Sequence, residues 1–281
     1  MTSIVVLGSV NLDIVATAKR LPQPGETVTD AELGKYPGGK GANQALAARR
    51  LGANVKMLAR VGDDGAANEA LALLKNGGVD LSGCKTVTGI PTGVALINVA
   101  ASGENQIVVA PGANRAFDVD DLTIPAADAL LCQLEVPGDA IVKAAAEFEG
   151  FFCVNLAPAM HVDVSILQRA DLIVVNETES AWYGESLSAC NGYIATTFGA
   201  AGAVLSKNGE DVARSKPPRV DAIDTVAAGD TFSAALTVAL VEGQSPQDAL
   251  TFACAAGAVA TTRAGAQPSI PTREEVVETL E

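Results

Sequence analysis

Two stretches of this sequence set polar side chains among glycines and alanines. The first is Asp224-Thr-Val-Ala-Ala-Gly-Asp230-Thr-Phe232. Ala227, Ala228 and Gly229 leave backbone N–H groups uncovered at the start of a helix, and such groups bind anions. Asp230 falls in the first turn, where the helix dipole favours negative charge, so the sequence predicts an ionised carboxylate. A positioned carboxylate beside an anion hole suits phosphoryl transfer. The carboxylate takes the proton of an acceptor hydroxyl, and the N–H groups stabilise the transferring oxygens. An ordinary Asp opening a helix fits the same residues.

The second stretch is Tyr36-Pro-Gly-Gly-Lys-Gly-Ala-Asn43, also leading into a helix. Its glycines let backbone approach a ligand closely. A nucleotide P-loop is rejected, because Gly41 stands where a Ser or Thr must hold Mg²⁺ and no clear strand precedes the loop. The dinucleotide fingerprint Gly-x-Gly-x-x-Gly fails at Gln44, which disfavours a nicotinamide dehydrogenase.

The elements that must position these groups follow from periodicity. Short apolar runs alternate with helical segments, which predicts an α/β fold with a central, mainly parallel sheet flanked by helices. Strands are expected at 4–7, 55–60, 129–134, 151–155, 172–175 and 194–198. Helices are expected at 42–51, closed by Gly52, and 66–76, closed by Gly77. Pro137 should start another helix, reaching residue 147. Further helices are expected at 229–242 and 246–262, and Thr272 to Glu275 is a capping-box pattern. Two segments break the rhythm, about 12–36 and 92–110; the latter reads as a β-hairpin, and together they could form a separate small sheet. Asn208-Gly209 predicts a second hairpin.

In open α/β sheets, ligands bind beyond the carboxyl ends of the strands. The predicted strands end at or lead to Asn11 and Asp13, Glu135, Asn155, Asn176, and Thr197 with Gly199. Each of these residues could simply cap a following helix. Their accumulation on one edge points to a cleft.

Composition excludes several functions. The chain has 281 residues, with 19 basic and 33 acidic side chains and a net charge of −14. That balance argues against nucleic acid and anionic membrane, which need basic surface. No apolar run reaches the ~18 residues of a membrane span, and the N-terminus lacks a basic signal-peptide region. The cysteines Cys84, Cys132, Cys153, Cys190 and Cys254 form no Cys-x-x-Cys, and His161 is the only histidine. This disfavours a Cys/His metal cage and a His-dependent triad, and suggests buried free thiols in a cytosolic protein. His161 is expected at the surface, and Trp182 and Tyr183 are expected to pack the segment before residue 194. The acidic excess would repel the anion that the bare helix start suits, so the cleft is expected to be locally neutral or compensated by Mg²⁺.

Asn11-Leu-Asp13, Gly38-Gly-Lys-Gly-Ala-Asn-Gln44, Asn176-Glu-Thr-Glu179, Asp224 to Asp230 and Gly265-Ala-Gln-Pro-Ser-Ile-Pro271 occur in an order that resembles the ribokinase family of carbohydrate kinases. The resemblance runs from Ile4 to Glu275. It implies one ribokinase-like α/β unit over residues 1–281, with a β-sheet lid inserted from about 12–36 and 92–110. The implied activity is ATP-dependent phosphorylation of D-ribose at its 5-hydroxyl. Related alternatives are a kinase for deoxyribose, another sugar or a nucleoside, or a non-catalytic sugar-binding protein. By this resemblance Asn11, Asp13, Gly39, Lys40, Asn43 and Glu135 bind the sugar, and Asp230 is the catalytic base. Asn176, Thr197, Phe198, Gly199, Ala200, Ala201, Gly202, Ala228, Gly229 and Cys254 serve the nucleotide. Glu179 organises Mg²⁺ through water. Asp224, Val226, Ala260, Arg263, Gly265 and Ser269 match a monovalent-cation site for K⁺. A cytoplasmic homodimer joined through the lid is also implied. Only 20 residues separate Asn176 from Thr197. This is shorter than the family pattern by about one helix, so weakened ATP binding is expected.

Overall fold

The computed structural model describes residues 1–281. The chain opens with β1 (Ser3–Leu7), β2 (Asn11–Ala18), β3 (Glu32–Gly38), α1 (Lys40–Arg50), β4 (Asn54–Gly62) and α2 (Gly65–Asn76). There follow β5 (Asp80–Val87), β6 (Gly93–Ala100), β7 (Asn105–Ala110), β8 (Ala129–Gln133), α3 (Gly138–Glu147), β9 (Phe151–Asn155) and α4 (Val164–Arg169). The last third holds β10 (Leu172–Asn176), α5 (Glu177–Tyr183), β11 (Tyr193–Thr197), β12 (Ala203–Lys207) and β13 (Glu210–Ser215). It ends with α6 (Ala228–Val241), α7 (Pro246–Ala260), α8 (Ala266–Ser269) and α9 (Arg273–Leu280).

Nine strands form one sheet in the order β13-β12-β11-β10-β9-β8-β1-β4-β5. Every pairing from β5 to β11 is parallel, and β12 and β13 close one edge as an antiparallel hairpin. The central strands β8 and β9 bury nearly every residue because helices cover both faces, which is why they read as unbroken apolar runs. One core lies between the sheet and α1, α2, α6 and α7, and the other between the sheet and α3 and α4.

The segments that break the rhythm form a separate four-stranded sheet in the order β3-β2-β6-β7. β2 pairs antiparallel with β3 and parallel with β6, while β6 and β7 make the expected hairpin. The passage from the large sheet to the small one is short. β1 ends at Leu7 and β2 starts at Asn11.

Three expectations change. Gly77 caps α2 in a right-handed conformation, and the left-handed residue is Gly78 at φ +76°. β3 does run directly into the loop before α1, so the missing strand is no argument against a P-loop; Gly41 remains one. The segment from Asn176 to Thr197 holds α5 and a 3-10 turn at Gly184–Ala189. There Tyr183 is buried and its hydroxyl donates to the Met160 carbonyl at 2.8 Å, whereas Trp182 stays 46% exposed. Trp182 rests edge-on against Tyr183 rather than in the core. All five cysteines are free, and four are buried. No helix is long and apolar enough to cross a membrane.

Asp64 joins the two sheets. Its carboxylate caps α2 through the Ala67 N–H (3.0 Å) and accepts the Thr92 N–H (2.8 Å) and hydroxyl (2.6 Å) at the entrance to β6. The Thr92 hydroxyl in turn accepts the Gly62 N–H at the end of β4 (2.9 Å). Replacing an N-cap acceptor by alanine costs about 1 kcal/mol, with the upper end near 2 kcal/mol. Asp64→Ala should therefore lower unfolding stability in urea by that amount, and Asp64→Asn by less.

Candidate active site

The parallel strands carry their terminal residues to one edge, and the groups singled out in the sequence meet there. α6 begins without a side-chain cap, behind Ala227 in the left-handed conformation at φ +63°. The Ala228 N–H turns back to the Thr225 carbonyl (3.3 Å), while those of Gly229 and Asp230 have no acceptor within the chain. These two N–H groups constitute the bare helix start that can receive an anion.

The Asp230 carboxylate is buried beside them. Its Oδ2 accepts from Asn43 Nδ2 (2.9 Å) and its Oδ1 from Gln44 Nε2 (3.1 Å). Both donors sit in the first turns of α1. The glycines before them let α1 approach: a Cβ on Gly41 would lie 2.5 Å from the Ser9 nitrogen. Ser9 donates its hydroxyl to Glu135 and accepts the Gly41 N–H (3.2 Å), and Glu135 also accepts the Lys40 N–H (3.1 Å). Beside this knot, Asp13 of β2 lies over the backbone of β3. A Cβ on Gly38 would fall 2.1 Å from its Oδ2. Asn11 is held by Asn114, whose Nδ2 donates to Asn11 Oδ1 (2.7 Å).

Glu135, Asp230 and Glu179 thus act on one cation, Lys40, and Asp13 adds a further carboxylate beside Glu135 and Asp230. Burial pushes the Asp13 carboxyl up to about 7, and the charges of Glu135 and Asp230 add to the rise. Burial also raises Asp230, against the opposing pull of Lys40, Asn43 and Gln44. The helix start and these three groups favour the ionised form, which burial opposes. Glu179 is raised by burial, and Lys40 is raised chiefly by Asp230. The cleft thus sets four carboxylates against one cation, an excess of the kind that bound Mg²⁺ would compensate. Acceptor-rich walls suit a ligand that brings hydroxyl donors, and perturbed carboxylates concentrated in a cleft mark functional sites.

The profile described as pfkB family carbohydrate kinase matches residues 1–273. The chain belongs to the pfkB family of carbohydrate kinases. It is 38% identical to a ribokinase from Haemophilus influenzae over 302 aligned positions, covering 99% of this chain and 98% of the relative. Among solved structures, a ribokinase from Thermotoga maritima superposes with a TM-score of 0.89 at 33% identity, covering 100% of this chain and 99% of the other. A ribokinase from Arabidopsis thaliana complexed with ribose and ATP gives a TM-score of 0.88 at 28% identity, with 100% and 99% coverage.

Within this pfkB kinase, the residues expected around a nucleotide occupy the edge next to α6. Thr197 ends β11, and Phe198 leads into the 3-10 turn Gly199–Ala201, closed by Gly202 at φ +104°. Phe198 and Ala201 line a groove of about 760 Å³ that also reaches Glu177, Ser215 and Lys216. Cys254 is buried, its thiol directed at the Ser215 carbonyl (3.8 Å) and pushed up to about 11 by burial. Asn176 and Glu179 form a full capping box on α5, each accepting the other's backbone N–H at 2.8 Å. Cap and cleft residue are therefore the same side chains.

The donor sets test the implied ions. No three His, Cys, Asp or Glu side chains converge into a metal cage. Glu179 keeps one carboxylate oxygen outside the capping box, which fits contact with Mg²⁺ through water. Asp224 ties two loops together by accepting the N–H groups of Val226 (3.0 Å) and Gly265 (2.9 Å). The carbonyls of Val226, Ala260, Arg263 and Gly265 accept no backbone hydrogen bond, so their oxygens are free to receive a cation such as K⁺. Arg263 can contribute only its carbonyl, because its guanidinium pairs with Glu275. The Ser269 hydroxyl is turned to the Ala266 carbonyl (2.8 Å). Ser9, Gln44 and Asn114 hold this site together and were given no role from sequence, whereas Asn155 was expected at the cleft edge as a strand end; Gln44 follows directly on the motif that ends at Asn43.

Asp13 gives a signed prediction. Its folded value, near 7, lies above its ordinary 3.8, so the folded chain binds more protons between those pH values and loses stability as pH rises through them. Asp13→Asn should leave stability unchanged near pH 4. Urea unfolding should show a gain growing to pH 7 and constant above it, on the order of 1–3 kcal/mol.

Proposed function

We propose that this pfkB kinase transfers the γ-phosphoryl group of ATP to the 5-hydroxyl of D-ribose, with Asp230 as the catalytic base. The observation that carries the reading is the Asp230 carboxylate, buried under the two free N–H groups of α6 and facing the Asp13–Lys40–Glu135 cluster. The names of the relatives, ribokinases by sequence and by structure, supply the substrate class.

Asp13 accepts hydrogen bonds from adjacent ring hydroxyls, supported by Asn11. Gly39, Lys40, Asn43 and Glu135 grip the remaining sugar polar groups. The 5-hydroxyl proton passes to an Asp230 oxygen as the hydroxyl oxygen bonds to the γ-phosphorus. The bond from that phosphorus to the β–γ bridging oxygen breaks, and ADP leaves. The free N–H groups of Gly229 and Asp230 stabilise the charge on the transferring group, and that of Ala228, expected to join them, turns to Thr225 instead. A base buried enough for its pKa to rise toward working pH is a better proton acceptor than an exposed carboxylate.

Thr197 to Gly202, Asn176 and Cys254 receive the nucleotide. Mg²⁺ bound with ATP supplies charge neutralisation on the phosphates, and Glu179 holds its water shell. K⁺ at Asp224 orders the loop before α6 without touching substrate. The small sheet acts as a lid over the sugar. Its exposed Leu33, Leu96, Ile107, Val108 and Val109 are apolar surface of the kind that pairs two copies of the chain. With its free cysteines, such a kinase belongs in the cytoplasm.

ADP release measured across ribose, deoxyribose, other pentoses, hexoses and nucleosides tests the assignment. Ribose should give the highest kcat/KM, and Asp230→Asn should lower kcat by ~10³-fold or more while calorimetric ribose affinity stays within several-fold. A near-normal rate in Asp230→Asn removes the base; preference for a nucleoside removes the sugar.

A further inference from the structure

The carboxylate of Asp230 is held from a direction that substrate never touches. Gln44 lies fully buried in α1 and spends its amide nitrogen twice, on Asp230 Oδ1 (3.1 Å) and on Asn155 Oδ1 (3.2 Å). Asn155, at the carboxyl end of β9, donates its own Nδ2 to the Val174 carbonyl of β10 (3.1 Å). An amide nitrogen has two hydrogens, so each has one acceptor. The amide group cannot rotate without losing one of them. The orientation is also set by charge. An amide oxygen turned toward the ionised carboxylate would oppose it, and toward Asn155 Oδ1 it would meet a second acceptor.

We propose that Gln44, fixed by Asn155, is a positioning residue for the base: it locks one oxygen of Asp230 to the frame of the parallel sheet and sustains the carboxylate form. The inference rests on Asp230 acting as the base. Two rigid elements support it, since Asn155 is anchored to the backbone of the central sheet and Gln44 to the helix behind it. Asn43 performs the matching contact on Oδ2 from the side of the sugar. The other amide oxygens of the pair, Asn43 Oδ1 and Gln44 Oε1, are buried without a partner.

The Gln44 hydrogen bond stabilises the charged form of a carboxylate that burial already drives toward neutrality. Its loss should raise the Asp230 pKa further. Lys40 from α1, Glu135 after β8, Asp13 from β2 and Glu179 from α5 face the same carboxylate, and all four remain in the variants below. Only the donor changes.

The test is the pH profile of kcat with ribose and ATP for wild type, Gln44→Met and Asn155→Leu, with ribose affinity by calorimetry and thermal unfolding alongside. Gln44→Met keeps length and loses both donors. Its kcat at pH 7 should fall about 10- to 100-fold, the acid limb should move to higher pH, and KM for ribose should change less than threefold. Asn155→Leu should move the limb the same way by less, and the double variant should fall short of the summed effects. If Gln44→Met does not fold, the shift in Asn155→Leu decides. A limb that stays put in the folded variants, or a loss confined to KM, overturns the positioning role. Asp230→Asn run in parallel separates the two readings: if it keeps its rate, the base assignment fails rather than the positioning.

Discussion

A carboxylate kept out of water needs partners, and most of this structure supplies them to Asp230. Burial raises its pKa, while Lys40, Asn43 and Gln44 oppose the rise. All three opposing groups come from one turn at the start of α1. That turn can approach only because Gly38, Gly39 and Gly41 leave room for Asp13 and for the chain at Ser9. The large sheet fixes the other side: parallel strands bring Glu135, Asn155 and Asn176 to the same edge.

The same balance explains the acidic cleft. Burial, with carboxylate repulsion added to it, raises the carboxyl pKa values of Asp13, Glu179 and Asp230, and the ligand-free protein bears that cost. A sugar offering hydroxyl donors relieves it, and phosphate is met by backbone N–H groups and bound cations rather than by basic side chains. Active sites commonly hold such local instability, offset by packing elsewhere. Here the two apolar cores on either side of the sheet provide it.

Much of the frame was legible in the chain. β9 falls at the expected 151–155, and both halves of the Thr272–Glu275 capping box form. Asn208 and Gly209 take the positive φ values of their hairpin turn, 53° and 79°. These are local features, set by residues within a few positions of each other. β5 was not legible, because Asp80, Ser82, Lys85 and Thr86 make a half-exposed edge strand look like a loop. The supports of the site were hidden for a different reason. Ser9 meets Glu135, Asn114 meets Asn11 and Gln44 meets Asn155 across separations of 126, 103 and 111 residues, which no local pattern encodes. The burial that raises Asp230 was hidden as well, because a helix start is visible in sequence and the degree of burial is not.

The central claim is that burial, balanced by Lys40, sets the proton affinity of Asp230. Carboxyl ¹³C NMR titration of Asp230 in the ligand-free protein, compared with Lys40→Met, tests it directly. The account predicts a pKa above the ordinary aspartate range in the wild type and a further rise when Lys40 is removed. An Asp230 that titrates as an ordinary aspartate and ignores the loss of Lys40 would contradict it.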